Sequence, residues 1–142
     1  MGTRADFYIR KNNQMKWLGS KGYDGYPDGI DGKVLAATEE VDYETKVVVF
    51  LKEENDATFP EQGWPWPWND SCTTDYAYIF ENNKVLASCF GGPLFDPQQS
   101  DEERESENSN VLPAGYFPDM KDKQNIAYDN RSGALFISIR PS

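Results

Sequence analysis

The chain has 142 residues, no histidine, two cysteines and a formal net charge of −10, which is the size of one ordinary domain and disfavours nucleic acid or an anionic membrane as a direct partner. Without histidine the commonest general base and metal ligand are missing, and Cys72 and Cys89 cannot complete a structural zinc site. No apolar run approaches the roughly 20 residues of a membrane helix, so a cytoplasmic single domain over 1–142 with a basic partner is expected.

Residues 5–10 and 15–18 read as strands of a hairpin turning through 11–14. With the turn on Asn12-Asn13, Tyr8 lies opposite Trp17 and Phe7 opposite Leu18, so each face receives an apolar pair. Four glycines and Pro27 between 19 and 29 exclude regular structure and leave Tyr23 and Tyr26 on a loop. Asp24, Asp28 and Asp31 in and after that loop lack EF-hand spacing and read as turn formers. Ile30, Val34 and Ala37 mark a short helix that Gly32 weakens.

Thr38, followed by Glu39, Glu40 and Asp42, places a capping hydroxyl and then acids at the start of a helix running to about Glu54. Tyr43, Val47, Phe50 and Leu51 form one apolar stripe on it, and Asp42 and Lys46 make an i, i+4 pair. The β-branched run over 47–51 favours a strand instead; length and capping outweigh it.

Three of the four tryptophans stand in Gly63-Trp64-Pro65-Trp66-Pro67-Trp68. The prolines exclude helix and interior strand and predict a stiff, extended rod. On a threefold polyproline screw the three rings cannot share one face, so at least one is expected to enter the core. Residues 74–80 and 85–90 then flank Glu81-Asn82-Asn83-Lys84, the clearest hairpin signal in the chain. Its register pairs Phe80 with Val85, Tyr78 with Ala87, Tyr76 with Cys89 and Glu81 with Lys84, which leaves Cys72 too distant for a disulfide to Cys89. An acidic flexible loop is expected at about 97–110, and a third hairpin from 125–128 and 134–139. Together these predict an α+β fold: an antiparallel sheet of about six strands in three hairpins, with one main helix packed on one face.

The stretches Gly2-Thr3-Arg4-Ala5-Asp6-Phe7-Tyr8, Trp17-Leu18-Gly19-Ser20, Asp24-Gly25-Tyr26-Pro27-Asp28-Gly29 and Trp64-Pro65-Trp66-Pro67-Trp68 resemble a group of short uncharacterised proteins from bacterial and phage-derived DNA. The resemblance spans most of the chain outside the acidic loop and transfers no activity. It implies a setting in which small acidic proteins that neutralise other proteins are common.

Two surfaces are candidates for binding. Asp96, Asp101, Glu102, Glu103, Glu105 and Glu107 set six acids against Arg104 and suit a basic protein, or serve as a solvated linker. Tyr23, Tyr26, Trp64, Trp66 and Trp68 form an aromatic platform for a sugar, peptide or base, or plug the core. Cys72 has no histidine or nearby lysine to activate it, so no catalytic residue, metal or cofactor is assigned. The leading expectation is a non-enzymatic inhibitor or neutraliser of a basic protein, and the alternative is a small-ligand or carbohydrate-binding module.

Overall fold

In the computed structural model, which describes residues 3–11, 14–92, 94–98, 116, 117, 120, 126–129 and 134–138, the chain opens with β1 (Ala5–Lys11) and β2 (Gln14–Lys21). Tyr8 faces Trp17 as the turn register requires, but a bulge at Leu18 sets Phe7 opposite Gly19. Gly19 has φ +145°, and a Cβ there would lie 2.7 Å from Leu51 Cδ1 and 2.9 Å from the Thr58 carbonyl oxygen. A glycine is required where β2 passes so closely beneath the helix and the next strand.

The short helix α1 (Gly32–Leu35) is capped by Asp31, whose Oδ1 accepts from Lys33 N–H at 2.9 Å. The main helix α2 (Glu40–Lys52) confirms helix over strand and buries Tyr43, Val47 and Leu51, with Phe50 at the margin of the stripe. Thr38 is not its cap. Glu39 holds that position without a side-chain bond, and the acids Glu40 and Asp42 of the first turn complement the helix dipole. Asp42 and Lys46 pair at 2.8 Å.

After β3 (Ala57–Thr58) and a bent segment come β4 (Tyr76–Glu81) and β5 (Lys84–Cys89), in the register read from the sequence. Asn82 and Asn83 turn between them with φ of 55° and 63°, the left-handed pair of a type I′ turn. Glycine takes such angles without steric cost, so Asn83→Gly is expected to raise stability by about 0.5–1 kcal/mol, read as a higher denaturant midpoint with unchanged slope. The third hairpin is β6 (Ile126–Asp129) with β7 (Ala134–Ser138), paired from Asp129↔Ala134 to Ile126↔Ile137.

The strands form a mixed sheet, not an antiparallel one, in the order β5-β4-β1-β2-β7-β6, with β3 on β2 beside β7. β1 and β4 run parallel. Hairpin rules fix only strands adjacent in sequence, whereas residues 22–75 carry the chain past β1 and return β4 alongside it in the same sense. The sheet is also covered on both faces rather than one. Phe7, Ile9, Tyr78 and Phe80 pack under α2, while Tyr8, Met15, Trp17 and Ile79 pack against Tyr116, Phe117, Met120 and the tryptophan segment. Apolar residues on both sides of β1 require this second layer.

Ion pairs fasten the first layer. Lys16 Nζ lies 2.8 Å from Glu44, and the buried Lys21 reaches Asp56 at 3.2 Å and Glu54 at 3.3 Å. Among the described residues no helix is long and apolar enough to cross a membrane.

Candidate functional site

Asp6 projects from β1 into the second core and is wholly buried. Its Oδ1 accepts from Ser20 Oγ at 2.5 Å and from Trp66 Nε1 at 2.7 Å, and its Oδ2 accepts from Ser71 Oγ at 2.7 Å. Ser20 Oγ in turn accepts from Trp17 Nε1 at 3.1 Å, and the Ser71 and Tyr8 hydroxyls share a 2.6 Å bond. Burial pushes the Asp6 carboxyl above its ordinary value, against the pull of hydrogen bonds from Ser20, Trp66, Thr74 and Ser71. Burial likewise holds the Tyr8 hydroxyl protonated.

This network fixes the proline-rich segment, which bends instead of running as a straight rod. Trp64 packs edge-on against Trp17 at 5.3 Å and donates from Nε1 to the Trp68 carbonyl at 2.7 Å. That carbonyl would stand about 12 Å along a regular polyproline helix, beyond the reach of an indole. Trp66 and Trp68 stack 5.5 Å apart at 18°, with the Arg4 guanidinium 5.6 Å and 5.4 Å from their ring centres. Trp68 Nε1 donates to Thr74 Oγ1 at 2.9 Å, and Asn69 O accepts from Met120 N–H at 2.6 Å. All three indole N–H groups are therefore spent inside the protein.

Three of the four stretches that carry the resemblance meet at this network: Asp6 comes from the first, Trp17 and Ser20 from the second, and Trp66 from the fourth. The third packs against the start of β1 and the other core through Gly25, whose N–H donates to the Thr3 carbonyl at 2.8 Å and whose carbonyl accepts from the Tyr78 hydroxyl at 2.6 Å. A Cβ on Gly25 would lie 2.8 Å from that of Ala5, so the loop and β1 approach too closely for a side chain.

The strand ends above this network form a rim. Ala5 pairs with both Lys21 and Tyr76, and Tyr76 pairs with Cys89, so Arg4, Tyr23, Asp75 and Phe90 emerge at one end of the sheet. Tyr23 and Phe90 are each 59% exposed and Tyr26 40%. Phe90 holds φ +50°, with its N–H on the Asp75 carbonyl at 3.2 Å. Arg4 N–H donates to Asp75 Oδ2 at 2.8 Å. Among the described residues Tyr23 and Tyr26 make no ring contact with Trp64, Trp66 or Trp68, so the expected five-residue platform divides into a half-buried tryptophan cluster and an exposed tyrosine loop.

Cys72 and Cys89 are not joined in a disulfide. Partial desolvation and the Asp70 carboxylate push the Cys72 thiol up to about 11, so it carries little thiolate at neutral pH. Of the acids expected to meet a partner, Asp96 accepts from Gln98 N–H at 2.9 Å in a turn. Asp101, Glu102, Glu103, Glu105 and Glu107 lie outside the described residues. A cleft of about 380 Å³ at the opposite end of the sheet holds Arg10 and Lys11, but these pair with Glu81 at 3.3 Å and Glu40 at 3.7 Å.

No family model, curated protein or solved structure matches the chain. Sequence reasoning missed Arg4, Asp6 and Phe90. The signal for the first two was their place inside the quoted stretches; Phe90 gave none, because an aromatic ending a strand reads as core.

Proposed function

We propose that the chain is a non-enzymatic protein-binding module that inhibits or neutralises a basic target, such as a nucleic-acid-binding protein, in the manner of anti-CRISPR or immunity proteins. The observation that carries this reading is the rim: Tyr23, Tyr26 and Phe90 stand exposed beside Arg4, Asp24, Asp28 and Asp75 on a chain of net charge −10. Exposed aromatic rings with an arginine are the usual anchors of a protein interface, and surrounding carboxylates select and steer a cationic partner. The small-ligand alternative draws less support, because each tryptophan N–H that would orient a sugar is occupied within the fold.

The test is capture from native-cell extract on the immobilised chain, with mass spectrometry at low and high salt, followed by binding of the purified candidate. A basic protein retained at low salt and released at high salt is the expected result. Salt-independent retention of a glycan or an acidic protein would contradict it.

A further inference from the structure

Among the described residues, the large apolar side chains left exposed fall in two places: Tyr23, Tyr26 and Phe90 at the rim, and Val41 and Val49 on α2. The two valines are 73% and 51% exposed. They stand one turn to either side of Thr45, on the side of the helix opposite Tyr43, Val47 and Leu51, with the partly buried Val48 beside them. Valine is stiff at χ1 and one of the weaker helix formers, so at solvent-facing positions it lowers helix propensity and covers no core. The stripe gives the fold nothing and suits an apolar partner.

The charges around the stripe identify that partner. Glu39, Glu40 and Asp42 crowd the start of α2 and Lys52 stands in its last turn, so the helix is acidic at one end and basic at the other. A second α2 laid parallel would set Glu39 on Glu39 and Lys52 on Lys52. Laid antiparallel about a twofold axis through Thr45, it opposes the dipoles and brings Lys52 beside Glu39 of the second copy. Val41 and Val49 stand equally far from Thr45, as do Glu44 and Lys46, so the same axis sets Val41 on Val49 and Glu44 on Lys46, each contact made twice. Glu44 and Lys46 already pair with Lys16 and Asp42 at 2.8 Å, and the contact extends those pairs into a network. We propose that the chain self-associates through α2 as an antiparallel, twofold dimer.

α2 has 13 residues and is about 20 Å long, so its face is smaller than the roughly 800 Å² per partner of a stable interface. The dimer is accordingly weak, with a Kd on the order of 10–1000 μM. Two copies that each carry a formal charge of −10 repel at long range, whereas the seam itself is apolar. Added salt screens the repulsion and tightens the dimer. Capture of a basic target at the rim has the opposite salt dependence and makes no use of α2, so the two readings fail independently.

Sedimentation velocity of the purified chain alone, from about 10 μM to about 1 mM at low salt and at roughly 0.5 M, is the measurement. A reversible monomer–dimer equilibrium is expected, with a dimer fraction that rises with salt. Val49→Glu places a carboxylate in the seam and is expected to weaken association at least tenfold, whereas Val49→Leu keeps the apolar contact and is expected to retain it. Lys52→Glu sets like charges together at both ends and is expected to weaken it about threefold or more. A chain that stays monomeric throughout, a dimer that weakens with salt, or one that Val49→Glu leaves intact overturns the proposal. So does a monomeric chain whose binding of a basic target is abolished by Val49→Glu, which assigns the face to that target. Should Val49→Glu lose helix by circular dichroism, an unchanged Kd in Lys52→Glu overturns the dimer equally.

Discussion

Trp17→Ala is expected to cost roughly 3–5 kcal/mol and to lower the Tm by about 10–15 °C. Trp17 is fully buried at the centre of the second core, opposite Tyr8 across the hairpin and edge-on to Trp64. Removing it leaves a cavity the size of an indole between β2 and the tryptophan segment over 64–68, because rigid proline-flanked neighbours cannot collapse into the space. It also deletes the N–H that Ser20 accepts, loosening one of the hydroxyls that hold Asp6. Trp17→Phe separates the two effects. It keeps most of the apolar volume and loses the hydrogen bond, so about 1–2 kcal/mol is expected. Val41→Ala is the control: this valine is 73% exposed on α2, and a change within about 0.5 kcal/mol is expected. Urea denaturation of the three variants checks the series, and a Trp17→Ala loss no larger than the control would mean that the second layer contributes little to the fold.

How much of this was legible depends on how local the determining interaction was. The β4–β5 register was readable because two asparagines fix a turn and apolar alternation fixes each face. α2 was readable because Tyr43, Val47 and Leu51 recur at helical spacing, although the β-branched run argued against it. The bulge at Leu18 was not readable, since it answers to Gly19 passing beneath Leu51 and Thr58, residues far along the chain. The parallel β1–β4 pairing was hidden for the same reason. At the site, the tryptophans announced themselves by composition, but their roles did not. Their N–H groups are spent on Asp6, Thr74 and the Trp68 carbonyl, and the Asp6 bond joins residues 60 positions apart. A single buried aspartate between alanine and phenylalanine carries no sign in the sequence of the donors that will surround it.

Under the proposed function, the rim and the acidic segment are expected to contribute separably to binding a purified target, and each to fail in its own way. Tyr23→Ala with Phe90→Ala removes two rings that are each 59% exposed, so the fold has little to lose. If they anchor the partner, affinity is expected to fall by about 30-fold or more, mostly through faster dissociation. Replacing Asp101, Glu102, Glu103, Glu105 and Glu107 by Asn or Gln removes five of the ten formal negative charges in excess. Association is then expected to slow by about 10- to 100-fold at low salt and to lose most of its salt dependence, with dissociation and Tm nearly unchanged. Trp66→Ala distinguishes the platform alternative, under which it abolishes binding that the rim variant retains. Association and dissociation rates at two salt concentrations resolve all three. An unchanged association rate in the neutralised segment rules out steering by these acids, and unchanged dissociation in the rim variant rules out Tyr23 and Phe90 as anchors. If both rates hold while Trp66→Ala fails, the partner docks on the tryptophan cluster, and charge serves only to keep the chain soluble.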